Sequence, residues 1–169
     1  LQKSSERCEQ NRIIIEGRRE IERAVACGFV IDTLFICNEI KDYSSELMAQ
    51  SSWLKANIIE EVTLEVFEKI AYREGSDGLL AVAIPKYADL KDFKPKKIPL
   101  IIVLETVEKP GNLGAIMRTA DAAGVDAVII ADPRTDLFNP NAIRASIGTI
   151  FNVPLFACSS EECIQWLRD

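Results

Sequence analysis

The sequence predicts an α/β protein built in two parts, and two observations carry that reading. Short β-branched runs alternate with amphipathic helical segments along most of the chain, and the alternation restarts after a proline- and lysine-rich stretch. A small α/β domain is therefore expected over 1–85, a linker over 86–99 and a parallel-sheet domain over 100–169.

In order, 12–16 reads as a strand closed by Gly17. Residues 18–26 read as a helix with Ile21, Ala24 and Val25 on one face and Gly28 as its stop. Strand 31–37 follows, then helix 44–56 with Ser44 as its N-cap. Strand 58–62 leads through N-cap Thr63 into helix 64–71, and the turn Gly75-Ser76-Asp77-Gly78 opens strand 79–84. Residues 86–99 hold Lys86, Lys91, Lys94, Lys96 and Lys97 with little apolar periodicity. Beyond them, 100–104 is an unbroken apolar strand, expected to be buried on both faces. Helix 112–123, strand 125–131, helix 141–148, strand 153–157 and a helix over 160–167 complete the order, which stops in mid-pattern. Strands and helices in this alternation require right-handed crossovers and a parallel sheet.

Composition removes several function classes. The chain of 169 residues has no histidine, which excludes histidine-based acid–base pairs, Ser-His-Asp and Cys-His nucleophiles and most zinc sites. No metal is expected. The five cysteines, Cys8, Cys27, Cys37, Cys158 and Cys163, form no C-x-x-C pair, the usage of a reduced, cytoplasmic protein. No apolar run approaches the roughly 20 residues that span a bilayer, so no membrane role is expected, and the polar start shows no secretory signal. The chain begins at Leu1, and residues are expected before it. A net charge of −6 argues against coating nucleic acid by bulk attraction. Local exceptions are the linker lysines and an N-terminal arginine cluster that includes Arg12 and Arg18, interleaved with Glu16, Glu20 and Glu22.

The most informative stretch is 105–124. It is a loop after a buried strand leading into a helix, the place where open α/β sheets bind ligands. Pro110 and Gly111 shape the turn, and Asn112 is expected as N-cap. Gly114 costs helix stability, so something is expected to approach the backbone there. Close helix packing is the other reading of Gly114 with Ala115, Ala120, Ala122 and Ala123. Arg118 lies one turn further, where a cation suits a phosphate.

The run Asn112-x-Gly114-x-x-x-Arg118-Thr119-Ala120-x-Ala122-x-Gly124 resembles the first motif of the SpoU/TrmH-like (SPOUT superfamily) RNA methyltransferases. The run 139–154, with Arg144-Ala145-Ser146-x-Gly148 ahead of Pro154, is similar to their second motif. Ile15-Glu16-Gly17 and Ser76-Asp77-Gly78 resemble marks of the RNA-binding, ribosomal-protein-like domain many of them carry in front.

The resemblance implies a Rossmann-like SPOUT domain in a homodimer. It would transfer methyl from S-adenosylmethionine to a ribose 2′-hydroxyl, with ribosomal RNA favoured over transfer RNA. It implies catalytic roles for Arg118 and Asn112, with Gly114, Arg144 and Ser146 supporting the site. Arg12 and Arg18, from the N-terminal arginine cluster, are expected to assist RNA binding on their charge alone. Because guanidinium keeps its proton, Arg118 fits an electrostatic stabiliser of the developing alkoxide better than a base.

Two features depart from the family. The third motif, a glycine loop followed by Ser-Leu-Asn, does not follow Pro154, and Lys109 stands where some members are acidic. The cofactor-binding residues and the knotted C-terminal part are therefore expected beyond Asp169, and the chain alone is expected to be inactive. The helix over 160–167 is expected to lack a surface to pack into. The alternative is a non-catalytic RNA-binding and dimerisation protein derived from this family.

Overall fold

The computed structural model describes residues 1, 3–49 and 56–168. It divides into two compact units, Leu1–Pro85 and Lys86–Asp169.

In the first unit, β1 (Ile13–Glu16), β2 (Ile31–Ile36), β3 (Ala56–Glu61) and β4 (Leu79–Ala83) form one sheet in the order β1-β4-β2-β3. β4 runs antiparallel to both β1 and β2, while edge strand β3 pairs in parallel with β2. All four residues of β1 are buried, and β4 is nearly so. Among the described residues four helices accompany the sheet: α1 (Ser4–Gln10), α2 (Arg18–Ala26), α3 (Ser44–Met48) and α4 (Leu64–Ile70). The α2 stop is built as Gly28 implied. At φ +78°, Gly28 donates its amide to Val25 O at 3.0 Å, and Phe29 donates to Ala24 O at 2.9 Å, which closes the helix end. Thr63 caps α4 by accepting from Val66 N at 3.5 Å.

The expected helix over 44–56 is shorter at its C-terminal end, closing at Met48, and Ser44 is not its N-cap. Ser44 is its first helical residue, and Asp42 supplies the oxygen that accepts the Ser44 amide at 2.8 Å. Ala56 already belongs to β3, and the stretch 50–55 lies outside the described residues. α1 has no counterpart in the sequence reading. It is polar, and its buried residue is Arg7, whose guanidinium donates to Leu1 O at 2.9 Å, so no apolar period marks it.

In the second unit, β5 (Ile101–Glu105), β6 (Ala127–Ala131) and β7 (Leu155–Cys158) form a parallel sheet in that order. With them come α5 (Pro110–Ala122), α6 (Pro140–Ala145) and α7 (Ser160–Arg168). β6 is central and buried throughout. β5 was expected to be buried on both faces, but it is an edge strand, and Val103 is 43% exposed. Sequence reads a strand's hydrophobicity, not its place in the sheet.

Two further expectations are corrected here. The lysine-rich stretch read as a linker packs onto the second sheet. Ala88 bridges to Phe156, the 3-10 turn Leu90–Asp92 buries Leu90, and Phe93 packs with Phe156 and Trp166. Its few apolar residues, Leu90 and Phe93, hold it there, and Lys96 adds an ion pair to Asp126 at 2.5 Å. α7, expected to lack a packing surface, sets Cys163 and Trp166 against Ala127, Ile129 and Phe156.

Candidate active site

α5 starts one turn earlier than its capping residue was expected. Pro110 occupies the first helical position, which suits its fixed φ, and Lys109 stands before it in extended conformation. Asn112 is therefore not the N-cap. It lies inside the first turn, donating its amide to Lys109 O at 3.0 Å, with its side chain exposed. The buried face of α5 is Leu113, Gly114, Met117 and Ala120. Arg118 is exposed and has no hydrogen-bond or ion-pair partner among the described residues. Helical geometry separates Asn112 from Arg118 by about 120° around the axis and about 9 Å along it. The two side chains therefore leave α5 on different faces, about a third of a turn apart.

The group that approaches Gly114 is the protein itself. A Cβ at this position would stand 2.5 Å from Ala145 Cβ and 2.7 Å from both Ala142 O and Ser146 N. Of the two sequence readings, close helix packing is the one realised, and α5 crosses α6 with backbone against backbone.

α6 begins at Pro140, with the Asn139 side chain accepting from Asn141 N at 2.9 Å, and ends before Ser146 rather than at Gly148. Ser146 is fully buried. Its hydroxyl donates to Ile143 O at 2.7 Å and accepts from Gly148 N at 3.2 Å and Ile150 N at 3.4 Å. It fastens the turn after α6 and presents no free oxygen. Arg144, one residue from α6's end, is exposed and likewise without a partner among the described residues.

The sequence reading missed three residues. Thr106, Asp132 and Ile147 have φ of +50°, +49° and +52°. Asp tolerates this region, but β-branched Thr and Ile pay a steric penalty there. Thr106 and Asp132 directly follow β5 and β6, and their amides donate to Ala131 O and Cys158 O at 2.9 Å each, so each loop is clamped to the neighbouring strand. Ile147 holds the left-handed position after α6 that glycine usually fills. A residue type normally found elsewhere leaves no sequence signal for such a turn.

Arg12 and Arg18 stand in the first unit. Arg12 Nε lies 3.4 Å from Asp32 Oδ2. Arg18 Nε donates to Glu22 at 2.7 Å and its Nη1 to Glu46 at 2.8 Å, and the Glu22 bond raises the guanidinium's pKa further. Both charges are largely spent on internal carboxylates. Gly114 and Ser146 are thus brought into contact at the α5–α6 crossing, and Arg118 and Arg144 each project an uncompensated cation from one of those two helices.

Comparison with known proteins fits this arrangement. Residues 99–169 match the SpoU rRNA Methylase family, and residues 1–81 match the MRM3-like substrate binding domain. A putative TrmH family tRNA/rRNA methyltransferase of Staphylococcus epidermidis is 30% identical over 164 residues, covering 93% of this chain and 66% of that protein. Among solved structures, an RNA 2′-O ribose methyltransferase is 34% identical with a TM-score of 0.80, covering 99% of this chain and 63% of that one. The AdoMet-bound rRNA methyltransferase from Sinorhizobium meliloti is 28% identical with a TM-score of 0.84, covering 99% and 62%. The chain thus spans somewhat less than two thirds of the length of these relatives. Family matches over both units and a shared fold along nearly the whole chain lead to one conclusion: this chain belongs to the SpoU/TrmH-like family of RNA methyltransferases.

Proposed function

We propose that the protein containing this chain transfers a methyl group from S-adenosylmethionine to a ribose 2′-hydroxyl of RNA, ribosomal RNA in preference to transfer RNA. The observation that carries this reading is Arg118: an exposed guanidinium without a partner among the described residues, on the helix that follows a parallel strand, within the segment that matches the family. Its planar fork can hold a phosphate and face the adjacent hydroxyl at the same time. As the hydroxyl attacks, negative charge grows on its oxygen, and a fixed cation there lowers the barrier.

Asn112 orients the substrate at the start of α5. Gly114 and Ser146 fix the crossing that aims Arg118, and Arg144 offers a second cation to RNA or to a partner subunit. Arg12 and Arg18, with their charges engaged, contribute less to RNA binding than their number suggests.

The donor supplies the activated methyl group. Asn112, Ala115, Arg118, Thr119 and Ala122 form an open, exposed surface, which does not enclose a molecule of that size. That exposed face of α5 therefore does not itself enclose the donor. A cytoplasmic homodimer that needs no metal completes the proposal. The compartment is the one that the free thiols of all five cysteines favour.

The test is Arg118→Lys in the complete protein, read by single-turnover methylation of ribosomal RNA with labelled S-adenosylmethionine. The expected loss is about 10²–10³ in rate with melting unchanged. A wild-type rate would remove Arg118 from the site.

A further inference from the structure

The second unit holds a cavity of about 610 Å³ that the site around Arg118 does not use. Its wall joins the lysine-rich segment to the end of β7 and the outer half of α7, through Tyr87, Asp89, Lys91, Glu162, Gln165 and Trp166. Three features of this wall bear on what it takes. The first is aromatic. Trp166 ends a ladder of rings, stacked on Phe93 at 5.9 Å, with Phe93 in turn 5.1 Å from Phe156, and Tyr87 is 62% exposed although its ring also meets Phe138 at 5.6 Å. The second is basic. Lys91 lines the wall, exposed and without an ion pair among the described residues; Lys86, Lys94 and Lys97 are likewise exposed on the same segment but outside the lining, and Lys96 is engaged by Asp126. The third is acidic but only half engaged. Asp89 uses Oδ1 to accept from Lys91 N, and Glu162 uses Oε2 to accept from Ser159, so one oxygen of each carboxylate stays available to a donor.

Rings for stacking, cations along one segment for phosphates and carboxylate oxygens for amino groups are the chemistry of an unpaired nucleotide whose base carries an exocyclic amine. Building on the proposal that the substrate is RNA, we infer that this cavity docks an unpaired, amine-bearing base of the RNA, away from the nucleotide that is methylated. The base lies against Tyr87 and Trp166, its amine donates to Asp89 or Glu162, and Lys91 meets the flanking phosphate. A duplex is rejected because its bases present no free face. Lys91, on a segment that a linker would leave without a role, supplies the cation of this wall.

The experiment titrates the chain with fluorescein-labelled 12-mers of oligoadenylate and oligouridylate and with a 12-base-pair RNA duplex, at several salt concentrations. Oligoadenylate is expected to bind tightest, because uracil lacks the amine and stacks less well. Tyr87→Ala, at a largely exposed position, is expected to weaken oligoadenylate binding about tenfold. It should leave duplex binding within twofold. Lys91→Ala is expected to lower the slope of log affinity against log salt by about 0.7. Trp166→Phe keeps a ring on Phe93 and controls for folding, with an intermediate loss expected. Three outcomes overturn the inference: equal affinity for oligouridylate, unchanged oligoadenylate binding in both Tyr87→Ala and Lys91→Ala, or no binding of either single strand. Capture of a peptide that Tyr87→Ala abolishes, without RNA binding, would assign the cavity to a protein and overturn it as well. Methylation by the complete protein separates this from the function proposed above. A wild-type enzyme that methylates RNA, with Tyr87→Ala leaving its KM unchanged, sinks the cavity alone. A wild-type enzyme that methylates nothing sinks the function, while the 12-mer titrations still decide the cavity.

Discussion

Gly114 and Ser146 meet where α5 crosses α6: a methyl group on Gly114 would stand 2.7 Å from the Ser146 amide nitrogen. The crossing also carries Arg118 and Arg144, so the closeness of the two backbones sets how those cations are presented. Gly114→Ala should therefore destabilise the second unit by about 1–3 kcal/mol through overpacking. Ala145→Gly should restore only part of this, because Ala142 O and Ser146 N would remain 2.7 Å from the new methyl. Gly111, exposed in the first turn of the same helix with nothing within 4 Å of an added Cβ, is the control. Gly111→Ala should stabilise by about 0.4–1 kcal/mol. Thermal melting of the three variants decides the matter, and a neutral Gly114→Ala would refute the crossing.

Ser146→Ala addresses the other partner. The hydroxyl's three hydrogen bonds lie within the turn after α6 and its residue is fully buried. Ile150 N would lose the side-chain acceptor it has, at a cost of about 1–3 kcal/mol. A supporting role predicts lower stability in urea titrations and an unchanged methylation rate per folded molecule. A rate that collapses while stability holds would make Ser146 a group that touches substrate.

What could be read in advance was local. The alternation of strands and helices, the Gly28 stop and the Thr63 cap depend on residues within a turn of one another, and all are visible as period or capping chemistry. Gly114 carried two meanings because its partner lies about thirty residues away, and helix packing is decided by that partner. β5 looked doubly buried because Ile101, Ile102, Val103 and Leu104 are apolar, yet its edge position depends on which strands flank it. The 86–99 stretch looked like a tether because two apolar side chains, Leu90 and Phe93, are too few to show a period, though they suffice to anchor it. Among the candidate site residues, Asn112, Gly114, Arg118, Arg144 and Ser146 were found by motif and fall on one helix pair. Arg12 and Arg18 were proposed from charge alone, and charge alone does not show that Asp32, Glu22 and Glu46 stand beside them.

Asn112→Ala separates capping from chemistry. With Lys109 as the N-cap and the Asn112 side chain exposed, no cap is lost. Stability should stay within about 0.5 kcal/mol of the parent. Methylation by the complete protein should still fall if Asn112 orients the RNA. A melting loss of the size a cap removal gives, about 1 kcal/mol, would return Asn112 to a structural role.

Cys158 allows a test by pH. It ends β7 beside α7, and burial, as the largest influence, with the nearby Cys163 next, pushes its thiol up from about 9 to about 11. The thiolate is the nucleophile, so at pH 8 the folded chain should hold about 100-fold less of it than the unfolded chain. Iodoacetamide labelling followed by mass spectrometry should show Cys158 reacting that much more slowly in native buffer than in urea, with exposed Cys8 as the internal reference. The linkage follows from the same shift. Because the folded-state pKa is raised, the folded chain keeps a proton that the unfolded chain releases. The contribution to stability is therefore complete below pH 9 and is lost as pH rises through about 11. Urea midpoints should fall across that interval, and Cys158→Ser, which does not titrate there, should flatten the fall. Native labelling of Cys158 within tenfold of the urea rate would show that the end of β7 opens readily to solvent.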